Sequence, residues 1–521
     1  MSLALIYSRN AELQATEVLI EIHLSNGLPV LNMVGLAEMA VKESKDRVRG
    51  AILNSRFDFP IRRITINLAP ADLPKEGSRF DLAIAIGILT ASEQININLK
   101  KSSLQQLEFY GELALSGELR PIKGILSSAI EARKNNKIII IPKQNAQEAA
   151  LIKGLTIYYA EHLLQVCAFL NGKEDLPQAT LTQPSKQPET TCFSEIKGQQ
   201  QAKRAFEIAA AGSHSLLLSG PPGSGKTMLS SSMPGILPMM TDEQAQESAA
   251  IRSISGEIVD INNWGIRPFR SPHHTSSGVA LVGGGSNPRP GEISLAHFGV
   301  LFLDEIPEFN RHVLEVLREP LESGSISISR AKRQVRYPAR FQLIAAMNPC
   351  PCGYFGDDQN NCSCSTEQIK RYQNRISGPF LDRIDLYIEL QALSHQELCQ
   401  PTNKTDLNMD ETSSVENAVE TSAEIQLRVA QAREKQLQRR NKSNSLLTGR
   451  EIEQDCQLAE NSVFLLEQAM DKLNLSARAY HRILRVARTI ADLDNKHQQA
   501  QHIGIQHLSE AIRYRKINRN L

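Results

Sequence analysis

The residues Gly220, Pro221, Pro222, Gly223, Ser224, Gly225, Lys226 and Thr227 follow a short apolar run, Leu216-Leu-Leu-Ser219. They match G-x-x-x-x-G-K-[ST], with a strand predicted before them and a helix after. Glycines at these positions let backbone N–H groups turn inward around phosphate oxygens. Lys226 would reach the β- and γ-phosphates of ATP, and Thr227 would give its hydroxyl to Mg²⁺. The N-terminus of the following helix favours the same anion. A second apolar run, Val300–Leu303, ends in Asp304 and Glu305. Asp304 would hold the Mg²⁺ through water, and Glu305 would polarise the attacking water. A third run, Ile344–Met347, ends in Asn348. Its amide can sense the γ-phosphate or orient the water; capping a turn before Pro349 is the plainer alternative. Loop, carboxylate pair and amide together predict an ATP hydrolase.

Two further clusters lie outside this set. Cys350-Pro-Cys352 and Cys362-Ser-Cys364 are close pairs separated by nine hydrophilic residues. Four soft ligands in one short loop suit a structural, tetrahedral Zn²⁺; four ordinary thiols are the alternative. Residues 326–338 alternate on both sides of a basic tip, which predicts a hairpin. Arg330, Lys332, Arg333, Arg336 and Arg340 bring positive charge there with no carboxylate among them. In a ring of subunits this makes a basic collar suited to a DNA backbone; in isolation it is a solubilised turn. Near the C-terminus Arg478, Arg482 and Arg485 share one helical face, and Arg513, Arg515, Lys516 and Arg519 follow.

The elements that position these residues divide the chain. Residues 1–175 read as an α/β domain. Ile64–Leu68 alternates like a strand, Ile138–Ile141 runs apolar up to Pro142, and Ala37, Ala40, Val41, Val48, Ala51 and Ile52 mark a helix face. Residues 176–192 hold three prolines among polar residues and read as a linker. Residues 193–393 alternate strands and helices, the pattern of a parallel sheet. Residues 394–423 are a polar, mobile insertion, and 424–521 read as helical. With 58 basic and 57 acidic side chains the net charge is +1, so any nucleic-acid surface must be local. The N-terminal residues do not read as a signal peptide and no run is apolar enough to span a bilayer, which predicts a cytoplasmic protein.

The order of phosphate loop, LFLDE, AAMNP and Ser377–Asp385 (SGPFLDRID) resembles the magnesium-chelatase-related AAA+ proteins, and within them the bacterial ComM/YifB branch. Residues 269–275 (FRSPHHT), 289–297 (RPGEISLAH), 348–353 (NPCPCG) and 476–484 (SARAYHRIL) carry the likeness to that branch. The resemblance covers nearly the whole chain outside 400–423. It implies an arginine finger at Arg383 acting on a neighbouring subunit's ATP, with Arg375 as a second candidate, a sensor at Arg478 in a helical lid, and a homo-hexamer. The stretch containing Gly283-Gly-Gly285 resembles the helix and loop that such proteins insert into the ring pore. The family is associated with natural transformation, where it drives branch migration as incoming DNA recombines with the chromosome, so single- and double-stranded or branched DNA and other recombination proteins become expected partners. Residues 75–81, 111–124 and 138–142 resemble the proteolytic domain of Lon-type proteases. Arg79 and Leu126 stand where that family places its serine and lysine, with Ser78 displaced by one, so an inactive relative is expected. Two other functions share the core: a protein-remodelling ATPase and a magnesium-chelatase-like motor subunit.

Overall fold

The computed structural model describes residues 2–35, 41, 43–75, 77–99, 103–181, 191–285, 288–330, 333–357, 361–392, 420–473, 475–494 and 502–515. Residues 394–419 of the insertion expected at 394–423, Ala37 and Ala40 of the predicted helix face, Lys332, Lys516 and Arg519 lie outside them; the last two residues of that insertion, Ser422 and Ala423, instead open helix Ser422–Arg440. The chain forms two units. The first contains Met1–Pro188 and Thr241–Trp264; the second contains Glu189–Met240 and Gly265–Leu521.

The first unit is built on a seven-stranded sheet. Its strands are β1 (Ser2–Arg9), β2 (Glu17–Ser25), β3 (Val30–Val34), β4 (Arg63–Ala69), β5 (Leu107–Phe109), β6 (Ile138–Pro142) and β7 (Ile157–Ala160), in the order β3-β4-β2-β1-β5-β6-β7. β2 and β4 alternate buried with partly exposed residues and pair antiparallel, as expected where one face is covered. The cover includes helix Asp81–Ala91, whose DLAIAIGILTA is buried on nearly every side. A Cβ on Gly87 would stand 2.1 Å from Ile22 Cδ1, so a larger residue there would force the end of the Ile22 side chain to move. Val41, Val48, Ala51 and Ile52 of the predicted helix face are fully buried.

Residues 241–264, which the sequence reading ran within 193–393, join this first unit. Their helix, Asp242–Ser255, packs on helix Ile125–Lys134. Ala249 and Val259 complete an apolar cluster with Ile122, Ile125, Leu126 and Ala129. Gly124 N–H donates to Ser253 O at 3.0 Å, Ser253 Oγ to Glu148 Oε1 at 2.6 Å and Lys153 Nζ to Asp242 Oδ2 at 2.9 Å. In the same unit Arg79 is 3% exposed, donates to Ser128 Oγ at 3.1 Å and lies over the Tyr110 ring. Burial without a carboxylate partner pushes its guanidinium down to about 10. Ser78 Oγ donates to the Glu112 carboxylate, and Leu126 is fully buried.

In the second unit the strands β8 (Leu216–Ser219), β9 (Phe269–Arg270), β10 (Val300–Leu303), β11 (Gln342–Met347) and β12 (Leu386–Glu389) form a sheet in the order β9-β10-β11-β8-β12. Every pairing is parallel. β8, β10 and β11 are buried along their length, which explains their continuous apolar runs. Helix Gln200–Gly212 lies between the sheet and the C-terminal helices Ser422–Arg440 and Ala477–Leu493, in one shared core. Arg433 Nη2 closes the end of that first helix on Ala210 O and Ser213 Oγ, each at 2.7 Å.

Candidate functional site

Parallel sheets bind ligands outside the carboxyl ends of their strands, where the strand order switches. β8 lies between β11 and β12, and the phosphate loop leaves its carboxyl end. Gly223 and Gly225 have φ of 78° and 86°, in the left-handed region that glycine adopts without strain. Lys226 opens helix Lys226–Ser231. Its Nζ donates to Gly220 O at 2.7 Å, to Pro221 O at 2.8 Å and to Asn348 Oδ1 at 3.1 Å. Burial lowers its pKa, against an opposing pull from Asp304 and Glu305. Thr227 Oγ1 donates to Asp304 Oδ2 at 2.9 Å. The loop, the carboxylate after β10 and the amide after β11 are therefore assembled around one point. A hydroxyl beside a carboxylate is the donor set Mg²⁺ favours when it keeps several waters.

Glu305 departs from the regular strand end. Its φ of 50° is unusual for a residue with a side chain, and Glu308 N–H donates to its carbonyl at 2.8 Å. Its carboxylate meets His274 Nδ1 at 3.4 Å. The His273 ring lies tilted against that of His274, with ring centres 4.2 Å apart, and bonds Thr275 Oγ1 at 2.8 Å. Sequence reasoning used these histidines only as part of a family likeness. Their approach to Glu305 becomes readable once β9 is known to pair beside β10, which brings the residues after both strands together.

The arginines separate clearly. Arg383 is 9% exposed along its side chain; it bonds the Glu322 carboxylate and donates to Pro379 O at 2.7 Å. Arg375 is 52% exposed and donates to Glu308 Oε2 at 2.7 Å. With Arg311, Lys370 and Arg371, and with Glu308 and Glu367 among them, it lines an open groove of about 730 Å³. Arg478 is exposed at the start of helix Ala477–Leu493. Arg482 instead holds Asp385 at 2.6 Å; burial opposes the Asp385 charge, but Arg482 and His214 keep its pKa well below the usual carboxylate range.

All four cysteine sulfurs lie within 4.8 Å of one another. Cys350–Cys352, Cys352–Cys362 and Cys350–Cys362 are separated by 3.3, 3.5 and 3.7 Å. Tetrahedral Zn²⁺ with bonds of about 2.3 Å spaces its sulfurs at about 3.8 Å, so the residues fit the metal. The predicted hairpin forms from Ser325–Arg330 and Arg333–Pro338, with Arg330 opposite Arg333. The side chains of Arg330 and Arg333 lie outside the described set, as does Lys332. Arg336 Nε donates to Ser325 Oγ at 2.8 Å.

A parallel sheet with a glycine-rich loop, an Asp–Glu pair and an Asn on neighbouring strand ends is the arrangement of an AAA+-class domain. The model for magnesium chelatase, subunit ChlI, matches residues 192–398; those for subunit ChlI of Mg-chelatase and for its C-terminal part match 20–145 and 419–515. The chain is 52% identical to Competence protein ComM of Haemophilus influenzae, over 100% of this chain and 99% of that one. It is 49% identical to YifB of Escherichia coli over 100% and 98%. A magnesium-chelatase 38 kDa subunit of Cereibacter sphaeroides is 27% identical over 30% of this chain and 52% of its own length. The chain belongs to the ComM/YifB family of magnesium-chelatase-related proteins.

Proposed function

We propose that this protein is an ATP-driven, hexameric DNA motor, a helicase that drives branch migration as incoming DNA recombines during natural transformation. The observation that carries the reading is the full-length likeness to a competence protein, joined to an ATP site whose loop, carboxylates and amide already meet in one chain. Lys226 and the loop glycines bind the triphosphate. Thr227 and Asp304 hold Mg²⁺, which when bound neutralises the phosphates. Glu305 leaves His274 to polarise the attacking water, while Asn348 orients it. Arg478 senses nucleotide from the lid. The basic hairpin, through Arg330, Lys332, Arg333 and Arg336, grips single-stranded, double-stranded or branched DNA in the pore, and other recombination proteins load it. Zn²⁺ on Cys350, Cys352, Cys362 and Cys364 orders the loop after Asn348. The Lon-like N-terminal domain is inactive: Arg79 is buried where that family needs a serine, and Ser78 bonds a carboxylate. The protein works in the cytoplasm; no helix among the described residues is long and apolar enough to cross a membrane.

The test is the ATPase rate with and without single- and double-stranded DNA, beside a forked-DNA gel assay and a casein-degradation assay. DNA-stimulated hydrolysis with unwinding and no proteolysis is the expected result. Hydrolysis indifferent to DNA, without unwinding, would favour protein remodelling or a chelatase-like subunit.

Arg383 is proposed to act on the ATP of a neighbouring subunit. It must first release Glu322 and Pro379, so its access is tied to assembly. Arg383→Ala should lower kcat by about 10³-fold, the low end for arginine fingers, with nucleotide affinity nearly unchanged. A wild-type rate in that variant passes the role to Arg375, which is already half exposed.

A further inference from the structure

Residues 347–353 touch the phosphate loop at three places. Gly220 N–H donates to Met347 O at 3.3 Å, and Lys226 Nζ donates to Asn348 Oδ1 at 3.1 Å. Gly353 lies against Pro222: a Cβ added to it would stand 2.7 and 2.9 Å from Pro222 Cδ and Cγ. Its φ of 89° also calls for glycine. Cys350 and Cys352 lie between the Asn348 and Gly353 contacts, so the first cysteine pair sits on a turn that meets the nucleotide loop at both ends. Gly353 N–H donates to Cys350 O at 3.0 Å, and Gln373 Nε2 to Pro349 O at 3.1 Å. Cys350 is fully buried; Cys352, Cys362 and Cys364 are partly exposed.

We propose that the four-cysteine site braces the ATP site, so that metal occupancy and nucleotide affinity strengthen each other. The inference rests on the metal reading above. A metal that ties Cys350 and Cys352 to Cys362 and Cys364 fixes the turn that carries Asn348 and Gly353. The fixed turn in turn positions Lys226 and Pro222. Nucleotide orders the phosphate loop and so presents Pro222 to Gly353 in the place the metal-bound turn requires. Each ligand orders what the other needs, and the coupling is necessarily reciprocal. A cysteine loop used solely for DNA binding would show no such linkage.

The experiment uses the full-length chain. Elemental analysis first counts zinc per chain; one is expected, and a zinc-free preparation with reduced thiols overturns the metal reading itself. Zinc affinity is then measured by equilibrium competition with a chromogenic chelator, with and without a saturating non-hydrolysable ATP analogue. Nucleotide should tighten zinc binding by about fivefold or more, the low end of measured couplings. Gly353→Ala should keep its zinc while binding a fluorescent ATP analogue several-fold more weakly, because its new methyl group pushes on Pro222. A zinc-bearing chain whose zinc affinity ignores nucleotide overturns the brace and leaves the metal site standing. That measurement needs no substitution, so it decides the matter even if the variants misfold.

Discussion

Lys226→Ala should abolish tight ATP binding, whereas Glu305→Gln should bind ATP normally and fail to turn it over. The contrast follows from where the two groups sit. Lys226 is the mobile cation inside the phosphate loop, with Nζ held on Gly220 O, Pro221 O and Asn348 Oδ1. A hydrogen bond to a charged group is worth roughly 1.5–3 kcal/mol. Losing such bonds to two phosphates should weaken binding by about 10²-fold or more. Glu305 takes no part in that cradle; its carboxylate faces His274. Replacing it with an amide removes the base and should cost about 10²–10⁴-fold in kcat. Nucleotide titration and single-turnover hydrolysis on both variants check this. A Glu305→Gln protein that hydrolyses at the wild-type rate removes Glu305 from the mechanism.

The triple change of Arg330, Lys332 and Arg333 to Ala should disable DNA engagement while basal hydrolysis survives. Lys226, Asp304 and Glu305 lie on other elements, so the ATP site stays intact. Binding should weaken on all sequences alike, since bonds to phosphate carry no base information. The slope of log affinity against log salt should flatten by about 0.7–0.9 for each phosphate no longer neutralised by a side chain. DNA-stimulated ATPase and strand unwinding should fall together. A triple variant that unwinds like wild type would make the hairpin a solvated turn and send the DNA path to the glycine-rich insert, the cysteine loop or the N-terminal domain.

The candidate nucleotide site could be read from the sequence because its parts are local. A glycine-rich loop after a strand, and a carboxylate or amide at a strand end, need no knowledge of the rest of the chain. The parallel sheet supplies the remaining step by bringing Gly220–Thr227, Asp304 and Asn348 to one edge. The cysteine cluster was legible for the same reason, as two short pairs in one loop. What stayed hidden depends on long-range packing. The His274–Glu305 pairing requires β9 beside β10. The approach of Gly353 to Pro222 depends on how a loop folds back over residues more than a hundred positions earlier. The burial of Arg383 against Glu322 depends on the helix before the hairpin. An aliphatic and alanine-rich helix such as Asp242–Ser255 names a buried face but not the surface that buries it.

That helix has a consequence for how the protein can be divided. The polypeptide enters the first unit, leaves it at residue 188, returns at 241 and leaves again at 264. A fragment ending at residue 188 would therefore lack Ala249 and Val259 and expose Ile122, Ile125 and Leu126 to water. The complementary fragment would carry an orphan amphipathic helix with no surface of its own. Neither half is a natural truncation. A chain cut once at the boundary after residue 188 should keep its N-terminal part, bound through the helix until denaturant separates the pieces. Activities assigned to isolated halves of this protein would describe molecules with a missing wall.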